Sequence, residues 1–185
     1  MMQLEGFPDF KAIYSALPEE LKSRFLQIRL LIMDFDGTLT DNTVLSDQNG
    51  VESVVCSRYD SLGLDFIREH AKISVVILSK ETNPVVATRA RKLKLLSARG
   101  IDDKISSFHV ALKEHGVEAG QTCYVGNDVN DMTCICEAGL GIAVADSDFR
   151  IRKKADYVTR LKGGYGAVRE VCEIILYAKN MHPFP

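Results

Sequence analysis

Leu31-Ile32-Met33-Asp34-Phe35-Asp36-Gly37-Thr38-Leu39-Thr40 is an apolar run that delivers two carboxylates, two residues apart, to a glycine. On an extended segment, residues i and i+2 point the same way. Asp34 and Asp36 are therefore expected to share one side of a strand end. Two acids held that close raise each other's pKa and call for a shared proton or a cation. Taken alone, Asp36-Gly37 also reads as a plain turn leaving a strand. The pattern around it decides between the two.

After this run, short apolar stretches alternate with helical patterns. Ile28 to Phe35 is the first, followed by Ile73 to Leu78, Thr122 to Val125, Leu140 to Val144 and the short Tyr157 to Thr159. Helical spacing falls near 60–70, 84–95, 103–115, 129–138 and 166–179. Continuous β-branched runs separated by helices predict an α/β fold, a doubly wound and mostly parallel sheet with helices on both faces. Ligands of such sheets bind at the carboxyl ends of the strands. Residues 8–28 read as a helix ahead of the first strand, so 1–29 is expected to be an N-terminal extension, 30–180 the main domain and 181–185 a mobile tail. Thr43 to Val55 reads as two extended arms around Asn49-Gly50, a protruding hairpin beside the acids.

Composition removes several classes of function. The chain of 185 residues has a net charge of −2, which leaves no electrostatic footprint for nucleic acid or an anionic membrane. No apolar run approaches the roughly 20 residues that span a bilayer. The N-terminus lacks the basic region and apolar core of a secretory signal. The five cysteines are odd in number and scattered, which favours reduced thiols and a cytoplasmic protein.

Three further segments place chemistry at strand ends. Val76-Ile77-Leu78-Ser79 carries a hydroxyl to the start of a helix near Pro84, a position that suits an anion. Tyr124-Val125-Gly126-Asn127-Asp128-Val129-Asn130-Asp131 brings a second acidic and amide-rich cluster, more than a helix cap requires. Lys104 opens a helix, where a cation opposes the helix dipole. Together these residues suit phosphoryl transfer. One carboxylate attacks phosphorus, and a second protonates the leaving alcohol and then activates water. A hard divalent cation, a hydroxyl and a lysine manage the phosphate charge.

These motifs resemble the haloacid dehalogenase (HAD) superfamily of phosphatases over most of residues 30–160. The resemblance implies a HAD-like Rossmannoid core, with Asp34 as nucleophile and Asp36 as general acid/base. It makes Ser79 and Lys104 phosphate binders, and it places Asp34, the carbonyl of Asp36, and Asn127 or Asp128 around Mg²⁺. Gly126 and Asp131 support the fourth motif. Only 42 residues separate Asp36 from Ser79, room for a hairpin and a helix but not a cap domain. Helix, strand and helix fill the interval from Ser79 to Gly126.

The hairpin, Ser57 to Leu64 and Lys162 to Glu170 look like the 3-deoxy-D-manno-octulosonate (KDO) 8-phosphate phosphatases. They look equally like phosphatase domains associated with acylneuraminate cytidylyltransferases. The first resemblance implies a phosphorylated sugar-acid substrate, KDO 8-phosphate or an N-acylneuraminate or KDN 9-phosphate. It also implies a homotetramer in which a neighbour closes the site. The second leaves open a non-catalytic oligomerisation or regulatory module linked to a cytidylyltransferase. One departure stands out: the octulosonate enzymes usually carry Gly-Asp-Asp where this chain has Gly126-Asn127-Asp128. Arg58, Arg89 and Arg169 are candidates for a substrate carboxylate, because a guanidinium matches that geometry. Asp60, beside Arg58, is grouped with them.

Overall fold

A computed structural model of the chain describes residues 7–184. The first six residues of the expected extension, and the last residue of the tail, lie outside that range. Two helices, α1 (Phe10–Ser15) and α2 (Glu19–Gln27), lead into strand β1 (Leu30–Met33). The single helix expected over 8–28 is thus broken. Pro18 offers no N–H and disfavours a helical residue before it, so the chain restarts at Glu19.

The central sheet has six strands in the order β5-β4-β1-β6-β7-β8, all parallel. Its members besides β1 are β4 (Ser74–Leu78), β5 (Leu96–Ala98), β6 (Thr122–Gly126), β7 (Leu140–Ala143) and β8 (Tyr157–Val158). The strand expected between Ser79 and Gly126 is β5, a three-residue edge whose side chains are exposed. Such a piece is too short to show periodicity.

Alternation along β1 divides the core. Leu31, Met33 and Phe35 face one layer, while Leu30 and Ile32 face the other. The first layer takes α1, α2, α3 (Arg58–Glu69), α4 (Val85–Leu93) and α8 (Ala167–Ala178), through residues such as Ile13, Phe25, Leu64, Val86 and Val171. The second takes α5 (Lys104–His115), α6 (Met132–Glu137) and α7 (Phe149–Arg152), through Phe108, Leu112, Ile135 and Ile151. The N-terminal helices therefore belong to the main core. Arg24 of α2 ties them down further, with its guanidinium on Asp156 at 2.6 and 2.8 Å and on the Gly139 carbonyl.

Between β1 and β4 stand only α3 and a two-stranded hairpin, β2 (Leu45–Ser46) paired antiparallel with β3 (Glu52–Ser53). No further domain is inserted there. The Asp47 carboxylate accepts the Asn49 and Val51 N–H groups at 2.8 and 2.9 Å and shapes the turn, and Gly50 supplies the positive φ. Among the described residues, no helix is long and apolar enough to cross a membrane.

Candidate active site

Strand β1 ends at Met33, one residue before Asp34. The chain then turns at once: Thr38, Leu39 and Thr40 all direct their N–H groups to the Phe35 carbonyl. Asp36 therefore sits on a turn and not on the strand. Both acids line one cleft because the chain curls back, which corrects the expectation from strand alternation. Gly37 makes that curl possible at φ +76°, and a side chain there would strike the Asn127 amide.

Asp34 is buried, and its carboxylate meets Lys104 Nζ at 2.8 Å. Lys104 is itself 4% exposed and contacts Asp131 at 2.7 Å on its other side. The lysine that opposed the helix dipole is thus not a surface residue. It bridges two buried carboxylates from two strand ends.

Asp131 is fully used by the protein. One oxygen takes Lys104 and the Tyr124 hydroxyl, both at 2.7 Å, and the other takes the N–H groups of Asn127 and Asp128. Gly126 has to be glycine, since a Cβ there would lie 2.5 Å from the Asp131 carboxylate. Asp131 thus holds the loop after β6 in place, with Asn127 at the site and Asp128 capping the short turn beyond it.

The electrostatics follow from burial and charge count. Burial and the neighbouring Asp131 raise Asp34 to about 7, and these outweigh the opposing pull of Lys104. Burial and then Glu81 raise Asp36, while Lys104 and the Ser79 hydroxyl hold it down. Burial alone would lower Lys104, yet Asp34 and Asp131 keep it above the usual lysine range. Two carboxylates thus flank one buried ammonium, with Asp36 and Glu81 beyond them, and the site carries an excess of negative charge.

Asp34 and Asp36 open onto a cleft of about 310 Å³ at the carboxyl edge of the sheet, while Lys104 and Asp131 lie behind its wall. Asp34, Asp36, Ser79, Asn127 and Asp128 line it, as the sequence motifs anticipated. Asn130, part of the quoted fourth motif, lines it too, and so do Asn42, Lys80, Glu81 and Thr82, which were not singled out as site residues from sequence. Their only signal was adjacency to the motifs. The hairpin stands at the rim, where the Asn83 amide donates to Glu52 of β3 at 3.1 Å. The glycine-rich segment 162–166 backs the turn after β1: Gly164 N–H donates to Thr38 O, and Gly163 N–H to Asp146.

A divalent cation fits this donor set. Among the described residues, no three His, Cys, Asp or Glu side chains converge as a metal cluster. The cleft residues that carry oxygen donors are mixed instead: Asp34, Asp36, Asn127, whose amide packs over Gly37, and Asp128. All are hard donors of the kind Mg²⁺ takes, in a site short of positive charge.

The candidate substrate contacts do not line this cleft. Arg58 is exposed. Arg89 is held by the Ser57 carbonyl and the Ser61 hydroxyl. Arg169 pairs with Glu173 and lies over the Phe66 ring. Asp60 is buried between α3 and α8, with one oxygen on the Arg169 N–H at 2.7 Å and the other without a partner.

Burial lifts Asp60 to about 6, against the pull of the backbone N–H groups of α8. The folded chain therefore holds a proton there that the unfolded chain has released. Stability from this source is complete below the ordinary carboxyl pKa of 3.8 and is lost as pH rises through about 6. Across that window the unfolding free energy of the wild type, relative to Asp60→Asn, is expected to fall by about 3 kcal/mol. Denaturant melts at several pH values measure it, and parallel pH curves would refute it.

A family model described as haloacid dehalogenase-like hydrolase matches residues 72–170. The 3-deoxy-D-manno-octulosonate 8-phosphate phosphatase KdsC of Yersinia pestis is 33% identical over 168 residues, which cover 90% of this chain and 89% of that one. A HAD family hydrolase from Streptomyces avermitilis is 43% identical, with a TM-score of 0.79 over 81% of this chain and 86% of its own. The KDO 8-phosphate phosphatase of Moraxella catarrhalis, solved with magnesium ion, phosphate ion and KDO, is 34% identical. Its TM-score is 0.85 over 89% of this chain and 94% of its own.

Proposed function

Since the chain belongs to the haloacid dehalogenase-like hydrolases, we propose that it removes the terminal phosphate of an eight-carbon ulosonic acid, KDO 8-phosphate or a close analogue. It is a capless phosphatase resembling KdsC, with only a hairpin and one helix between its first two core strands. The observation that carries the reading is the bridge of Lys104 between Asp34 and Asp131, with Asp36 lining the cleft beside Asp34. The Moraxella enzyme, bound to magnesium, phosphate and KDO, supports the choice of substrate and cation.

Asp34 attacks phosphorus to form an aspartyl-phosphate, and the bond from phosphorus to the sugar oxygen breaks. Asp36, whose raised pKa suits a proton donor, gives its proton to that oxygen. It then takes a proton from water, whose oxygen attacks phosphorus and releases Asp34 and inorganic phosphate. Ser79 and Lys104 hold phosphate oxygens while charge moves between them. Mg²⁺, held by Asp34, the Asp36 carbonyl and Asn127 or Asp128, would neutralise the phosphate and keep Asp34 ionised.

The open cleft needs a cover. The hairpin side chains Val44, Leu45 and Val51 are more than half exposed, which supports packing of hairpins between copies of the chain. A homotetramer is the assembly we assign to them. The alternative, a non-catalytic module beside a cytidylyltransferase, rested on the neutral Asn127. That amide still offers an oxygen to the cation, and both catalytic acids are in place.

A phosphate-release screen with Mg²⁺ tests the substrate. KDO 8-phosphate is expected to exceed glucose 6-phosphate by about 100-fold or more in kcat/KM, a discrimination of about 3 kcal/mol. Faster turnover of N-acetylneuraminate 9-phosphate would move the assignment to nine-carbon acids. Equal rates on all of them would remove the sugar-acid reading.

A further inference from the structure

We infer that the opposite end of the sheet, where the strands begin, carries a second anion site, suited to a compact polyanion of the phosphate class. Two adjoining depressions, of about 360 and 310 Å³, share Lys72, Ser74 and His115. Arg68 and Lys94 complete the first, and Arg29 and Lys179 complete the second. No carboxylate lines either one.

Helices α3, α4, α5 and α8 all end near this place, and cations are favourable at helix C-termini. That accounts for some of the charge but not for its arrangement. Among the described residues, Arg29, Lys72, Lys94 and Lys179 form no salt bridge, and only Arg68 has an acidic partner, Asp65. His115 Nε2, on the wall common to both depressions, is buried with no hydrogen-bond partner. A buried ring nitrogen without a partner is costly unless something is received there. Burial and the nearby charge of Arg29 both lower Lys179, as expected of cations crowded together without an anion between them.

The chemistry on offer is a central hydroxyl and imidazole flanked by ammonium and guanidinium groups on two sides. A diphosphate, or a small molecule with two phosphate groups, matches both the charge and the paired shape. The active site lies at the other end of the strands, so occupancy here does not depend on which phosphoester the enzyme hydrolyses.

Inorganic pyrophosphate is the probe, titrated into the full chain with EDTA present and followed by NMR. Saturable shifts are expected at Lys72 to Ser74, at the His115 ring and at Lys179. The double variant Lys72→Ala/Lys179→Ala is expected to raise Kd at least tenfold without changing phosphatase turnover. Lys72→Arg/Lys179→Arg, which keeps both charges, is expected to bind nearly as the wild type and guards against a folding defect. Three results would overturn the site: shifts confined to the surroundings of Asp34 and Ser79, unchanged affinity in the alanine variant, or equal shifts from chloride at matched ionic strength.

Discussion

Asp34→Asn is expected to lower turnover by about 10⁴-fold or more while the chain stays folded. An amide has almost the same shape as the carboxylate but cannot attack phosphorus, and losses of this size accompany removal of a nucleophile. Lys104 would still hold Asp131 at 2.7 Å, so the bridge survives in part. Burial and Asp131 raise Asp34 to about 7, so a neutral group at this position costs little near neutral pH. A neutral side chain therefore relieves repulsion and leaves the buried packing intact. Phosphate release and thermal melting measure the two sides of this prediction. Activity within a few per cent of wild type would remove Asp34 from the chemistry.

Lys104→Met is expected to harm both stability and activity, and this separates it from the first variant. The lysine is the buried cation between Asp34 and Asp131, and its removal leaves two carboxylates facing each other in the core. Breaking a buried ion pair by removing one partner typically costs about 3–5 kcal/mol. The loss should grow as pH rises through the Asp34 titration, because deprotonation then adds unpaired charge. Turnover should fall by about 10³-fold if the same ammonium holds a phosphate oxygen, as proposed above. Denaturant melts near pH 6 and pH 8, together with initial rates, decide it. A stability change below about 1 kcal/mol would show that the bridge is weak.

Much of this architecture was legible in the sequence, because the buried parallel strands announce themselves as continuous apolar runs. β1, β4, β7 and β8 lie within the stretches read as strands, and β6 runs one residue beyond its stretch, to Gly126. The edge strand β5 is three exposed residues and had no such signal. The paired acids could be recognised by type and spacing, but their geometry could not. Asp36 reaches the site through a turn closed on the Phe35 carbonyl, and no strand periodicity encodes that turn. Likewise, Lys104 looked misplaced at a helix start until its two carboxylates, 70 and 27 residues away, came into contact with it. Asp60 and Arg169 show the reverse: their charge suggested a substrate, and the fold uses them where α3 meets α8. A side chain's chemistry is visible in sequence, whereas the direction it faces is set by packing.

The claim on which the rest depends is that Asp34 carries the phosphoryl group during turnover. Rapid acid quench of the enzyme turning over ³²P-labelled KDO 8-phosphate with Mg²⁺, followed by peptide mapping, tests it directly. The predicted result is acid-stable, hydroxylamine-labile label on the peptide containing Asp34, absent from Asp34→Asn. Full turnover with no label on that peptide, or label on Asp36 in its place, would contradict the account.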